Sequence, residues 1–242
     1  MRLAGEMLLA GRVLAIKGLG GFHLACDAAN ESAVRELRRR KVRYHKALAL
    51  MARDITMVRR FAELNGTEAD LLRDRTAPIV VLNAAGESLA SGIAPGQHTL
   101  GFMLPYTPLH HLLFRPVPGT DTEAPAALVM TSGNLSDEPQ CIDNSDAKQR
   151  LGDIADVFLL HDREIVNRID DSVVRIVNRE PRLLRRARGH APASLPLPTG
   201  FGEATGILAL GGELPCLVSE TVEALPETRH VAVRADLDLA SV

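Results

Sequence analysis

Short apolar runs recur along the chain, and polar segments that contain helix-capping residues separate them. Runs of this length, bounded by turn residues, are typical of buried β-strands. The predicted strands cover residues 13–17, 47–51, 78–82, 100–104, 126–131, 157–160 and 172–177. Asn30, Asp54 and Thr107 are suitable helix N-caps, and Pro108 stands at the first helical position, which favours proline. Strands and helices that alternate in this way indicate an α/β fold.

Two further helices are predicted, one from a variant capping box at Thr67–Asp70 and one beginning at Ser145 or Asp146. From Pro192 onward, prolines and glycines indicate a linker, and residues 207–212 resemble the start of a new strand. About thirty residues follow that strand, too few for a second independent domain. We therefore expect one domain over residues 1–195, then a linker and a truncated unit over 196–242.

Composition narrows the functional classes. The 242 residues are 46% hydrophobic with a formal net charge of −2, so any phosphate binding must come from a local cluster of cations. No apolar run is long enough to span a bilayer, and no signal peptide is evident. Three distant cysteines fit a reduced cytoplasm, where we expect the protein to act. The absence of tryptophan argues against a base-stacking surface.

A dense basic cluster lies where a predicted helix ends and a predicted core strand begins. Six of the nine residues from Arg38 to Lys46 are Arg or Lys, and none is acidic. A cation cluster at the edge of a sheet is suited to holding a polyphosphate. The alternative is a solvated helix C-terminus, where cations offset the helix dipole.

Other loops carry groups that suit an anion. The strand at 126–131 runs into Ser132-Gly133-Asn134, and a second basic cluster spans Arg185–Arg188. Each loop has a simpler interpretation as a turn or a solvated surface. A glycine-rich turn at Gly18–Gly21 precedes His23, and Asp170-Asp171 offer either a Mg²⁺ site or a turn cap. Because ligands of open α/β sheets bind beyond strand ends, we expect the 41–46, 132–134 and 185–188 loops to converge.

Seven short motifs occur in order within residues 10–195. They are Lys17–Ala28, Lys41-x-Arg43, Leu104–His111, Thr131–Pro139, His161–Ile165, Asp170–Arg175 and Leu184–Gly189. Each is weak alone, but the ordered set is specific. Together they resemble the YrdC-like domain of the HypF family of hydrogenase maturation carbamoyltransferases. The resemblance implies a twisted mixed sheet with helices on its faces and a basic concave nucleotide site.

The resemblance also implies a reaction. Carbamate would attack the α-phosphorus of ATP, forming carbamoyladenylate and releasing pyrophosphate, with Mg²⁺ carried by the phosphates. This would be the activation step of carbamoyl transfer in NiFe-hydrogenase maturation, in which the cyanide ligand is made. A transferase unit of the larger family members, whose first strand residues 207–214 resemble, would pass the carbamoyl group to the maturation protein HypE.

Specific residues follow from the same resemblance. Lys41 and Arg43 would hold the phosphates, while Ser132 and Asn134 would bind carbamoyl and phosphate oxygens; these four form the expected catalytic set. The expected ATP- and carbamoyl-binding set comprises Lys17, His23, Ser172, Arg186 and Arg188.

The sequence departs from the family in the basic cluster. Tyr44 and Ala47 stand where relatives usually have proline, which predicts a looser loop of unchanged charge.

Two other functions stay open from the sequence. One is a threonylcarbamoyladenylate synthase for tRNA modification, and the other is a non-catalytic RNA-binding module that uses the two basic clusters.

Overall fold

The computed structural model describes residues 1–116, 123–136, 138–191 and 193, together with the backbone of four short strands beyond them. The main body is a nine-stranded sheet with the order β7-β1-β2-β6-β3-β5-β4-β8-β9. Its strands are β1 Leu14–Lys17, β2 Phe22–Asp27, β3 Ala49–Ala52, β4 Ile79–Asn83, β5 Thr99–Met103, β6 Ala127–Ser132, β7 Val157–Leu159, β8 Val173–Val177 and β9 Glu180–Arg185. Three pairs are parallel, β1 with β7, β3 with β5 and β4 with β8, and the other five are antiparallel. The predicted mixed α/β sheet is thus confirmed.

Helices join these strands. They are α1 Arg2–Leu9, α2 Glu31–Lys41, α3 Ile55–Val58, α4 Gly66–Arg73, α5 Pro108–Leu113 and α6 Asn144–Leu151. None of the helices in the described ranges is long and apolar enough to cross a lipid bilayer. The short strands beyond the body pair as β10 Leu195–Pro196 with β13 His230–Val231, and β11 Leu208–Leu210 with β12 Pro215–Leu217. Most of residues 196–242 lies outside the described residues, so the expected domain division stays a prediction.

Capping side chains set most of the helix starts. The Asn30 side chain accepts hydrogen bonds from the backbone N–H of Ser32 and Ala33, and Thr107 caps α5 as predicted. Two predicted starts were wrong. Helix α4 begins at an Asn65–Glu68 capping box instead of Thr67, and α6 is capped by Asp143.

Apolar side chains cover both faces of the sheet. One face packs against α2, α3, α4 and α6 through residues such as Leu24, Leu37, Leu50 and Phe102. The other face, which includes Ile16, Met103 and Met130, packs against α1 and α5. Cys26 and Cys141 are buried and unpaired, as expected for small core residues.

Strand register brings candidate residues together where β2 begins and β6 ends. His23 on β2 lies opposite Ser132 at the end of β6. The N–H of Gly133 donates to the carbonyl of Phe22 over 2.6 Å, and a Cβ at Gly133 would lie 2.6 Å from the Phe22 Cβ. Only glycine allows this close approach, which fixes the Ser132–Asn134 turn against the start of β2.

Candidate functional site

Lys41 joins the basic cluster to the Ser132–Asn134 turn. Its side chain ends α2 and is only 1% exposed. The Nζ atom donates to the carbonyl oxygens of Ser132 at 2.5 Å and Asn134 at 2.7 Å, and to Asn134 Oδ1 at 2.8 Å. Three oxygen acceptors match the three donors of an ammonium group. Two of the three predicted loops are therefore in direct contact through this one side chain.

Burial and neighbouring cations act against the charge of Lys41. Burial, then the charges of Arg43 and Lys46, lower the pKa of Lys41 to about 7. An anion bound beside Lys41 would offset the repulsion among these cations and favour the protonated form. The site is thus electrostatically arranged to take up negative charge.

The side chains of Ser132 and Asn134 act together. The Ser132 hydroxyl donates to Asn134 Oδ1 at 2.6 Å, and Asn134 Nδ2 donates to the Glu138 carbonyl at 2.5 Å. Because Asn134 Oδ1 also accepts from Lys41, this amide oxygen is shared by two donors. The turn is fixed in shape before any ligand binds, which is the preorganisation that transition-state binding requires.

The guanidinium of Arg43 is only partly hydrogen-bonded within the described part of the protein. Its Nη2 donates to the Ala47 carbonyl at 3.1 Å, and its buried Nε has no partner among the described residues. Burial, then the charges of Arg38 and Arg185, lower the pKa of Arg43, whereas Asp170 raises it. Arg43 therefore lies within electrostatic range of the second basic cluster, with a guanidinium that protein groups only partly satisfy.

Arg188, in contrast, is committed to the protein. Its guanidinium donates to Asp171 Oδ1 at 2.8 Å and to the Thr76 and Ala77 carbonyls at 3.1 and 2.8 Å. Its Cζ also lies 3.7 Å from the ring centroid of Tyr106. With these partners, Arg188 anchors the second basic cluster more than it offers donors to a ligand.

Arg186 and Ser172 have different roles in the same segment. Arg186 Nη2 donates to the His190 and Ala193 carbonyls, while its buried Nε and Nη1 have no partner in the described ranges. Ser172 is fully buried, and its hydroxyl donates to the Arg188 carbonyl at 2.9 Å and accepts from the Ala187 N–H at 2.8 Å. Within the described residues Arg186 is thus only partly hydrogen-bonded, and Ser172 supports the segment that carries it.

His23 is a buried residue on β2, opposite Ser132 and next to Tyr106. It is 5% exposed, and its Nε2 lies 3.4 Å from the Tyr106 hydroxyl. Burial lowers the pKa of His23; the charges of Arg188 and Lys41 lower it further, and Asp171 raises it. The charges of both clusters thus act on a single imidazole, which supports the predicted convergence of the loops that carry them.

Lys17 is separated from this group. It lies opposite Phe22 in the β1–β2 register, and alternation along β2 places Phe22 and His23 on opposite faces. Its Nζ donates to the His161 carbonyl at 3.3 Å, beside Asn144 of α6. The geometry places Lys17 next to the site edge but not among the residues around His23.

Sequence reasoning assigned no site role to Arg38, Tyr106 or His110. His110 is fully buried, and its ring meets that of Tyr106 edge-on with centroids 4.5 Å apart. Burial, then the charge of His23, lowers the pKa of His110 to about 3, so this imidazole is neutral. The 104–111 motif contained both residues, but only the three-dimensional structure shows that they pack beneath His23 and Arg188.

The carboxylates near the site are paired with arginines. Asp170 forms a 2.6 Å ion pair with Arg185, and Asp171 binds Arg188. Among the described residues, no group of three or more His, Cys, Asp or Glu side chains is arranged to hold a metal ion. The Asp170-Asp171 pair thus serves as an arginine anchor. A surface depression of about 310 Å³ is lined by Glu63, Leu64, Asn65, Glu68 and Asn83, and none of these is a predicted site residue. The predicted basic concave site therefore stays a prediction.

The fold and this arrangement of loops define a known class. The family model Sua5_yciO_yrdC, described as "Telomere recombination", matches residues 6–187. The chain therefore belongs to the Sua5/YciO/YrdC family. Within that family its similarity is to carbamoyltransferases: it is 52% identical to carbamoyltransferase HypF of Rhodobacter capsulatus over 99% of the chain. The probable carbamoyltransferase HypF of Methanocaldococcus jannaschii is 41% identical over 86% of the chain. The resemblance to the YrdC-like domain of HypF is thus confirmed.

Solved structures agree with this assignment. Full-length HypF in a phosphate- and nucleotide-bound form matches 81% of the chain with a TM-score of 0.75 and 48% identity. Sua5 of P. abyssi complexed with L-threonine matches 77% with a TM-score of 0.66 at 18% identity, which establishes a shared fold alone. The chain spans 33% of the R. capsulatus relative and 30% of the solved HypF chain.

Proposed function

We propose that this chain activates carbamate with ATP, forming carbamoyladenylate and pyrophosphate. The observation that carries the proposal is the contact of the Lys41 ammonium with Ser132 and Asn134, beside the partly satisfied guanidinium of Arg43. Further support comes from the 48% identity to a HypF solved with phosphate and nucleotide. Carbamoyl transfer is the activity named for the curated relatives.

The reaction would proceed by in-line displacement. A carbamate oxygen attacks the α-phosphorus of ATP, the bond from that phosphorus to the oxygen bridging toward the β-phosphate breaks, and pyrophosphate leaves with the electron pair. Negative charge builds on the α-phosphate and on the leaving group. Arg43 and Arg186 carry buried N–H groups without a partner among the described residues, and these groups would hydrogen-bond those oxygens once ATP enters.

The remaining residues would bind the carbamoyl group, in the part of the site that we call the acceptor end. Ser132 and Asn134 present a preorganised hydroxyl and amide, and the Lys41 ammonium fixes their turn and adds positive charge. His23 is held in its neutral form largely by burial, so it can exchange hydrogen bonds with the uncharged carbamoyl group without adding charge. Mg²⁺ would enter bound to the ATP phosphates.

The wider setting is part of the same proposal. Carbamoyladenylate would be consumed by carbamoyl transfer to the maturation protein HypE, through the transferase unit of a larger protein, during synthesis of the cyanide ligand of NiFe-hydrogenase. A threonylcarbamoyladenylate synthase would use the same fold, as the likeness to Sua5 illustrates, but with threonine and bicarbonate as the acid component.

ATP–pyrophosphate exchange tests the proposal. Ammonium bicarbonate, which supplies carbamate, should stimulate exchange of labelled pyrophosphate into ATP, and Arg43→Met should abolish it. Arg53→Met is the matched control because Arg53 is an exposed arginine paired with Asp54. Stimulation by threonine plus bicarbonate alone would indicate the synthase, and salt-sensitive RNA binding without exchange would indicate the third function.

A further inference from the structure

Arg38 binds the loop that carries Arg43. The Arg38 side chain is buried, with 7% of its surface exposed. Its Nη1 donates to the Arg43 carbonyl at 2.5 Å, its Nη2 to the Lys46 and Ile93 carbonyls at 3.1 and 3.2 Å, and its Nε to the Gly92 carbonyl. One guanidinium therefore ties the end of α2 to the 43–46 loop and to the 92–93 turn.

No carboxylate pairs with Arg38 among the residues that the structure describes. Four peptide carbonyls satisfy its donors but leave its charge uncompensated. That charge acts on Arg43, whose pKa it lowers after burial. The two guanidinium charges therefore repel each other, and a bound polyanion would relieve that repulsion.

The same loop has other features that need a clamp. Val42, between Lys41 and Arg43, has a left-handed backbone with a φ of 54°, which is unfavourable for a β-branched residue. The Ser136 hydroxyl lies 3.0 Å from the Lys41 carbonyl and 3.2 Å from the Val42 carbonyl. From this turn the Lys41 side chain reaches the Ser132 and Asn134 carbonyls, while the Arg43 side chain donates to the Ala47 carbonyl.

We propose that Arg38 is a positioning residue that holds the 43–46 loop in the conformation in which Arg43 reaches a nucleotide phosphate. Relatives usually have proline at the positions of Tyr44 and Ala47, and Arg38 would supply the rigidity that those prolines give the loop. This inference rests on the proposed nucleotide site, and it adds a residue that has no phosphate contact of its own. The bound group would be the triphosphate of ATP, recognised by Arg43 and supported indirectly by Arg38.

Calorimetry with ATP tests the inference on the full chain. Arg38→Met should raise the Kd for ATP about tenfold, which is the loss expected when one charge-assisted contact is misplaced. Arg38→Lys should fail to restore affinity, because one ammonium cannot span four carbonyls in this geometry. Arg35→Met is the control, since Arg35 lies on the same helix outside the basic cluster and its exposed side chain is 4.0 Å from the Glu31 carboxylate. Its Kd should stay within about twofold of the parent value.

A double variant separates positioning from general structural support. If Arg38 acts through Arg43, then Arg38→Met added to Arg43→Met should weaken ATP binding no further. Amide hydrogen exchange should also rise in residues 43–47 of Arg38→Lys while the amides of β6 keep their protection. Unchanged ATP affinity in Arg38→Met, additive losses in the double variant, or unchanged loop protection would each overturn the inference. If the parent chain binds ATP with this dependence but shows no carbamate-stimulated exchange, the proposed chemistry fails while the role of Arg38 stands.

Discussion

Lys41 and Arg43 are two residues apart in sequence, yet the structure predicts different effects for their removal. Lys41→Met removes three donors from half-buried oxygens on Ser132 and Asn134. Asn134 Oδ1 keeps the Ser132 hydroxyl, so the main loss falls on the two carbonyls. An orphaned buried acceptor costs about 1–3 kcal/mol, and relief of ammonium burial offsets part of the total. We expect a net loss of about 2–3 kcal/mol in the free energy of unfolding.

Arg43→Met should change stability little. Among the described residues, the Arg43 side chain donates one hydrogen bond, to the Ala47 carbonyl, and the charges of Arg38 and Arg185 repel it. Removal of the guanidinium relieves that repulsion, so we expect a change within about 1 kcal/mol. Its effect should instead appear in ATP affinity.

Thermal unfolding followed by circular dichroism measures the contrast. For a domain of this size each kcal/mol shifts Tm by about 2–4 °C, so Lys41→Met should unfold roughly 4–12 °C below the parent protein. Arg43→Met should unfold within about 4 °C of it. A Lys41→Met protein as stable as the parent, or equal losses in the two variants, would refute the assignment of Lys41 as the brace of the Ser132–Asn134 turn.

Three further outcomes follow from single residues. Burial and nearby cations lower the pKa of Lys41 from an ordinary 10.5 to about 7. Between pH 7 and 10, Lys41 is therefore protonated more fully in the unfolded chain than in the folded protein. Stability should therefore rise from pH 7 to 10 in the parent relative to Lys41→Met, by at most about 1.4 kcal/mol per pH unit in urea titrations, and parallel profiles would contradict this. Val42→Gly should stabilise the protein by up to about 1 kcal/mol, because glycine removes the left-handed penalty at an exposed site; a destabilised variant in the same titration would argue against strain there. Ser172→Ala should cost about 2 kcal/mol, since the Ala187 N–H and Arg188 carbonyl lose a buried partner, and an unchanged urea midpoint would exclude that supporting role.

Local chemistry made much of the fold predictable. Asn30 and Thr107 cap their helices as expected, because an N-cap contacts residues only two or three positions ahead. Helix α1 was not predicted, because its N-cap residue, Met1, makes no side-chain capping hydrogen bond. The start of α4 was placed two residues late because Asn65 and Glu68 form the reciprocal capping pair.

The candidate site was predictable in its loops but not in the use of each side chain. The basic and Ser-Gly-Asn loops were identified by residue type, and Lys41 does join two of them. Whether an arginine is free or committed depends on carbonyls distant in sequence, such as those of Thr76 and Ala77 for Arg188. Such backbone partners carry no sequence signature, so Arg188 could not be distinguished from Arg43 before the fold was known.

Calorimetric titration with a non-hydrolysable carbamoyladenylate analogue tests the central claim most directly. The account predicts that the analogue binds at least about tenfold more tightly than AMP, because it fills the acceptor end beside Ser132 and Asn134 as well as the phosphate end. It also predicts that Asn134→Ala removes that advantage. Equal affinity for the analogue and AMP in the parent protein, or no binding of either, would contradict the assignment of this site to carbamoyladenylate.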